Sequence, residues 1–314
     1  LPDNRPVINF GIGFKSEWQV TLTDAKTGRV KLHLPWHKNT ILDAGLNRRL
    51  VSSSNFMYYS APTLFKYIAI GTSNTAPATT DTTLGAEISR KIYNSTLSTY
   101  SFATASAPYF IAGAQWGTSE GNGDLKEVAL CESSSGGVLW SRNLFRDEAG
   151  NPITVTKTSS DILTVLCKTT IQRTSDTPYS VTLDGRTVKG IILNDGLQTA
   201  VRSTATGSEW WNTSSRYLTA GTSNVDPAPT QTAIQGSNLG TSESVVFSAG
   251  VSGPPDFYRD GLYSFMSYQG NGNIGEVCHS SNSVLMARHT FNAVIAKDDT
   301  KQLDLTVRIT LSRL

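Results

Sequence analysis

Tyr67-Ile68-Ala69-Ile70-Gly71-Thr72-Ser73-Asn74-Thr75-Ala76-Pro77-Ala78-Thr79-Thr80-Asp81-Thr82 decides the reading of this chain, because it occurs twice. It returns as Tyr217-Leu218-Thr219-Ala220-Gly221-Thr222-Ser223-Asn224-Val225-Asp226-Pro227-Ala228-Pro229-Thr230-Gln231-Thr232, with nine of sixteen positions identical at a constant offset of 150. Self-similarity at a fixed spacing governs architecture before any local pattern does. This spacing is the length of a domain, so the sequence predicts a tandem duplication. The first copy begins with a short apolar run containing β-branched Ile68 and Ile70, the pattern of a strand. Gly71 and Gly221 end the runs, and Thr-Ser-Asn follows with side chains that bond local backbone in turns. A Pro-containing segment then crosses the surface, where a missing N–H costs little. Neither copy has the glycine spacing of a phosphate-cradling loop.

Upstream of each copy, Leu42, Leu46 and Leu50, and then Leu193, Leu197 and Val201, recur at i, i+4, i+8 on one face of a short helix. Each helix carries a glycine, Gly45 or Gly196. A mid-helix Gly costs roughly 1 kcal/mol against Ala, so both positions predict close packing on a sheet. Val7 to Phe14 and Glu17 to Leu22 read as two strands with a Lys-Ser connection, and Arg29 to Leu34 as a half-buried third. Downstream, the strands Gly123 to Leu130 and Gly272 to Cys278 turn into the strands Val138 to Phe145 and Val284 to Phe291, which bear Arg142 and Arg288. Glu127 with Arg142, and Glu276 with Arg288, are therefore expected as cross-strand ion pairs that set register, each worth little at a surface. Ile162 to Arg173 and Leu303 to Arg313 alternate as closing strands. Thr174 to Tyr179 is the linker, which divides the chain into residues 1–174 and 175–314. The expected fold class is mainly β: two tandem antiparallel β-sandwich-like domains, each with one short helix.

Composition narrows the function. A net charge of +2 over 314 residues, with 17% charged residues and no basic stripe, does not predict a nucleic-acid partner. Cys131, Cys167 and Cys278 have no CxxC spacing and are expected as buried thiols. His33 and His37 lack a third ligand nearby, so neither a metal nor a cofactor is expected. No Gly-x-Ser-x-Gly elbow occurs, and no histidine of one copy has a counterpart in the other, so no catalytic residue is assigned. The first residues, Leu1 to Pro6, lack the pattern of a signal peptide, and no apolar run is long enough to predict a membrane span. The segments Ser52 to Phe65 and Ser203 to Arg216 differ freely between the copies. They carry Phe56, Met57, Tyr58 and Tyr59 in one and Trp210 and Trp211 in the other, either as interface anchors or as local sheet-edge packing.

The order Asn39-x-Ile41-Leu42-Asp43-x-Gly45-Leu46, then the quoted stretch, then Glu127-Val128-x-Leu130 and Arg142-x-x-Phe145 resembles a β-domain of tailed-bacteriophage structural proteins, of the tail fibre or minor tail protein type. The resemblance covers Asn39 to Arg173 well and Gly190 to Arg313 more loosely, departing at Asp226 and Gln231. It implies a non-enzymatic virion component, assembled in the host cytoplasm and working through contacts with other tail, baseplate or neck proteins. A homo-oligomer is the implied state. Alternatives within reach are a head decoration or collar protein, and a receptor-recognition module binding host surface glycan through the adjacent aromatics.

Overall fold

Alternation builds the main sheet: Trp18, Val20 and Leu22 are buried while Gln19 and Thr21 between them are not. Across the ladder they meet Cys167, Val165 and Leu163, which alternate in the same phase. The computed structural model describes residues 7–50, 66–175, 178–183, 185–198, 201, 218–242, 246–247, 257–281 and 284–314. In chain order the first half contributes β1 (Val7–Asp24), β2 (Val30–Lys38), β3 (Thr40–Ile41), α1 (Asp43–Leu50), β4 (Tyr67–Gly71), β5 (Glu87–Ile92) and β6 (Thr99–Ser101). Then come β7 (Tyr109–Trp116), β8 (Gly123–Leu125), β9 (Glu127–Cys131), β10 (Leu139–Leu144), β11 (Val155–Lys157) and β12 (Asp161–Arg173). The second half has β13 (Tyr179–Leu183), β14 (Arg186–Ile192), a helix α2 through 194–198, β15 (Leu218–Gly221), β16 (Asn238–Thr241) and β17 (Val246–Phe247). It closes with β18 (Phe257–Phe265), β19 (Gly272–Ser281), β20 (Val284–Lys297) and β21 (Leu303–Arg313).

The protein is mainly β with two short helices among the described residues. One sheet of each half repeats the same strand order: β3-β10-β9-β4-β5 in the first and β14-β20-β19-β15-β16 in the second, where β13 is added outside β14. A further eight-stranded sheet, ordered β17-β18-β21-β1-β12-β7-β6 with β2 on β1, runs through both halves. Its buried face shares one apolar core, in which Trp18, Trp116, Trp140 and Phe145 join Tyr263, Phe265, Phe291 and Val307. The helix glycines are explained by contact: a Cβ on Gly45 would stand 2.9 Å from the Trp140 carbonyl oxygen, and one on Gly196 2.4 Å from that of Met286.

β1 departs from expectation in two ways. Residues Val7 to Asp24 form one strand, because Lys15 and Ser16 stay in register with Thr170 and Thr169 and the ladder never breaks. Nor is the pairing wholly antiparallel: Val7 to Phe14 run parallel to Thr306 to Arg313 of β21. The first strand of the chain thus lies in a ladder of the second half, across the expected division. Since β12 is antiparallel to β1 and β21 parallel to it, β12 and β21 run in opposite directions. Two halves related by a dyad normal to the sheet would have that arrangement, with the axis near Ile12 to Phe14, the residues paired on both sides. A position on the axis admits one strand only. β1 takes it, and β13 pairs with β14 instead.

Candidate functional site: paired loop anchors

The repeated stretch acquires its meaning from one buried carboxylate in each half. Glu127, on β9, is fully buried, and its oxygens accept the Ser73 N–H at 3.3 Å, the Gly85 N–H at 3.1 Å and the Ala86 N–H at 2.8 Å. Arg142, on β10, donates to it through Nε at 3.0 Å and approaches it through Nη2 at 2.9 Å. The same guanidinium holds the Thr75 carbonyl at 3.0 Å and the Asp81 carboxylate at 2.5 Å. Asp81 in turn accepts the Ala78 N–H at 3.0 Å. One ion pair therefore fixes the surface loop that follows β4 from several sides.

The second half repeats the scheme, with the carboxylate on loop amides and the guanidinium on loop acceptors. Glu276 accepts the Gln235 N–H at 3.1 Å and the Gly236 N–H at 2.8 Å, and Arg288 donates to it through Nε at 2.6 Å. Arg288 also holds the Val225 carbonyl at 2.9 Å, the Gln231 Oε1 at 3.0 Å and the Ser223 Oγ at 3.3 Å. Gln231 accepts the Ala228 N–H at 2.9 Å, as Asp81 does from Ala78. The chief chemical difference is one charge, since a carboxamide replaces a carboxylate at the outer position, while Ser73 meets the anchor through its N–H and Ser223 through its hydroxyl. The recurring glycine follows from the same geometry: a Cβ on Gly71 would lie 2.5 Å from Glu127 Oε1, and one on Gly221 2.6 Å from Glu276 Oε1.

Both pairs join adjacent strands along the diagonal: Glu127 faces Leu144, two residues from Arg142, and Glu276 faces Thr290, two from Arg288. The expectation of solvent-exposed pairs is corrected: Glu127, Glu276 and Arg288 are 0% exposed and Arg142 2%. Ions so desolvated persist only with several hydrogen bonds each, and removing one partner strands the other charge. The loop amides and carbonyls supply those bonds, so the pair and the loop require one another.

A second anchor escaped the sequence reading. Lys157, buried at the end of β11, donates to the Gly117 carbonyl and to Asn122 Oδ1, both at 2.7 Å. Lys297, at the end of β20, donates to the Met266 carbonyl at 2.6 Å and to Asn271 Oδ1 at 2.8 Å. Burial pushes both ammonium groups below the ordinary lysine range. The available signal was Gly121-Asn122-Gly123 against Gly270-Asn271-Gly272, repeated at an offset of 149. Gly121 and Gly270 have φ of 58° and 61°, which glycine adopts without steric cost.

Cys131, Cys167 and Cys278 are free and buried. Burial pushes the Cys131 thiol up to about 12 and the other two higher still, which leaves them un-ionised. Phe56, Met57, Tyr58, Tyr59, Trp210 and Trp211 lie outside the described residues. Among the described residues no group of three or more His, Cys, Asp or Glu side chains is placed to hold a metal ion. No described helix is long and apolar enough to cross a membrane. Fold and anchors together define a mainly β protein whose halves share strand order and two kinds of buried charged loop tether. No family model, curated protein or solved structure matches the chain.

Proposed function

We propose that this chain is a non-enzymatic structural component of a tailed-bacteriophage particle, associated with the tail as fibre, baseplate or adaptor, and acting through protein–protein contacts. The observation that carries the reading is the use made of buried charge. Among the described residues, each buried Asp, Glu, Lys and Arg closes onto a partner within the chain: Glu127 and Glu276 on loops, Lys157 and Lys297 on turns, Arg173 on the opposite half. Glu17 follows the same rule: burial opposes its ionisation, but Lys168 and Lys15 outweigh it and hold the carboxyl below its usual range. Such an interior stiffens long surface loops and leaves function to outward faces. Repeated strand order and repeated anchors are what a tandem duplication would leave, and two similar surfaces with different loops suit a part that contacts several neighbours. The test is a particle image with an antibody or gold label directed to this chain. Label on the tail upholds the reading, label on the head shell transfers the chain to head decoration, and its absence from purified particles rejects the proposal.

A further inference from the structure

A cavity of about 390 Å³ opens where β2, β3 and β10 meet the end of β21, lined among others by His37, Lys38, Asn39, Asn143, Arg146 and Arg313. That volume falls in the range of about 300–1,000 Å³ usual for small-molecule sites. No acidic side chain is in the lining. Arg313 is paired with Asp43 and the Ile41 carbonyl, so the uncompensated charge belongs to Lys38 and Arg146. Glu17, which faces Lys38 across the ladder, is taken by Lys15 and Lys168, leaving the Lys38 ammonium with no ion-pair partner among the described residues, and Arg146 uses only Nη1, on the Gly150 carbonyl at 2.7 Å. Asn39 is 2% exposed and gives its Nδ2 to Ser141 Oγ at 2.8 Å, but its Oδ1 has no hydrogen-bond partner. His37 packs its ring on Trp18 at 5.1 Å, and its Nε2 is buried without a partner. Buried polar atoms in that condition destabilise the fold until a ligand or solvent satisfies them.

The second half acts as an internal control. Arg142 faces Thr40 as Arg288 faces Ile191, so stepping back along the strands matches Asn39 with Gly190 and His37 with Val188. Arg146 corresponds to Asn292, and Lys38 to Lys189, which is already paired with Asp226 at 2.6 Å. There β14 pairs with β20 from Val188 onward, whereas His37 and Lys38 pair with β1 and the β10 ladder begins only at Thr40, which is where the cavity opens. The second half thus does without the orphaned polar atoms that Asn39 and His37 present to the first.

We infer that this cavity binds a small anion bearing hydroxyl groups, of the size of one acidic sugar. Its carboxylate or phosphate would meet Lys38 and Arg146, and its hydroxyls would meet Asn39 and His37. The inference is independent of the particle reading, since it concerns binding by the isolated chain. The experiment is titration calorimetry on the full chain with glucuronate and with glucose 6-phosphate, against glucose and inorganic phosphate. Saturable binding of either acidic sugar is expected, and whichever binds identifies carboxylate or phosphate as the source. Lys38→Glu should weaken it by about tenfold or more, as loss of a charge-assisted contact does, while Lys189→Glu leaves it unchanged. Arg146→Gln gives an independent weakening should Lys38→Glu disturb folding. No saturable binding, equal binding of glucose, an adventitious ion only (phosphate binding without either sugar), or equal loss in Lys189→Glu would each overturn the inference.

Discussion

Arg173 and Arg313 end the last strands of the two halves, and each closes on the helix start of the opposite half. Arg173 donates through Nη1 to the Ile192 carbonyl at 3.2 Å and to Asn194 Oδ1 at 2.8 Å. Arg313 donates through Nε to the Ile41 carbonyl at 2.7 Å and pairs with the Asp43 carboxylate. Ile41 and Asp43 sit where Ile192 and Asn194 sit in the other half, immediately before and at the start of a helix. The exchange is reciprocal, as a dyad between halves requires. The linker joins two bodies that were already holding each other.

Replacing either arginine should therefore loosen both halves. Arg173→Ala and Arg313→Ala are each expected to lower unfolding free energy by about 1–3 kcal/mol, the usual cost of stranding charged or buried hydrogen-bond partners. Urea unfolding followed by tryptophan fluorescence measures it. A midpoint unchanged in both variants would mean that the contacts across the halves carry no stability.

The loop anchors predict a larger loss. Glu127→Ala leaves Arg142 buried, and Glu276→Ala leaves Arg288 so, each with an expected cost of about 3–5 kcal/mol. Gly71→Ala should approach this, because its Cβ would also stand 2.5 Å from the Ala86 carbonyl oxygen, which is backbone and cannot swing away. Thermal unfolding of the three variants beside wild type tests it. Gly71→Ala matching wild type would contradict the close-approach account.

Lys157 and Lys297 should act locally. Lys157→Met removes the donor that gathers the Gly117 carbonyl and Asn122. Hydrogen exchange of the amides from Gly117 to Asn122 is expected to quicken by about tenfold or more, equivalent to roughly 1.4 kcal/mol of lost local protection. Exchange in the 266–271 turn should not change in that variant, and should quicken in Lys297→Met.

His289 sets an acid limit. Burial, reinforced by the adjacent Arg288 charge, depresses its pKa to about 3. A histidine near 6.5 when unfolded then binds a proton more readily in the unfolded state, so stability falls as pH drops from about 6.5 toward 3. The slope from this residue is about 1.4 kcal/mol per pH unit for one proton. His289→Asn, the residue type found at the matching position Asn143, should flatten that part of the curve. Denaturation midpoints from pH 7 to pH 4 with the same slope in both proteins would assign the acid loss to other groups.

Much of this was legible in the chain, for a definite reason. Strand alternation, the helix leucines and the repeated Gly71 and Gly221 are local or periodic signals, and periodicity survives without coordinates. The Glu127–Arg142 and Glu276–Arg288 pairs were legible because hairpin spacing limits which residues can meet. Their burial was not, since burial depends on what covers a strand and the cover comes from distant segments. The parallel use of Val7 to Phe14 against β21 was hidden for the same reason, as was the crossing of Arg173 and Arg313. Sequence determined the strands, the two matching halves and the pairs that tie each loop. Tertiary structure alone decided that one strand serves both halves, because a position on the axis between two equivalent bodies can be filled only once.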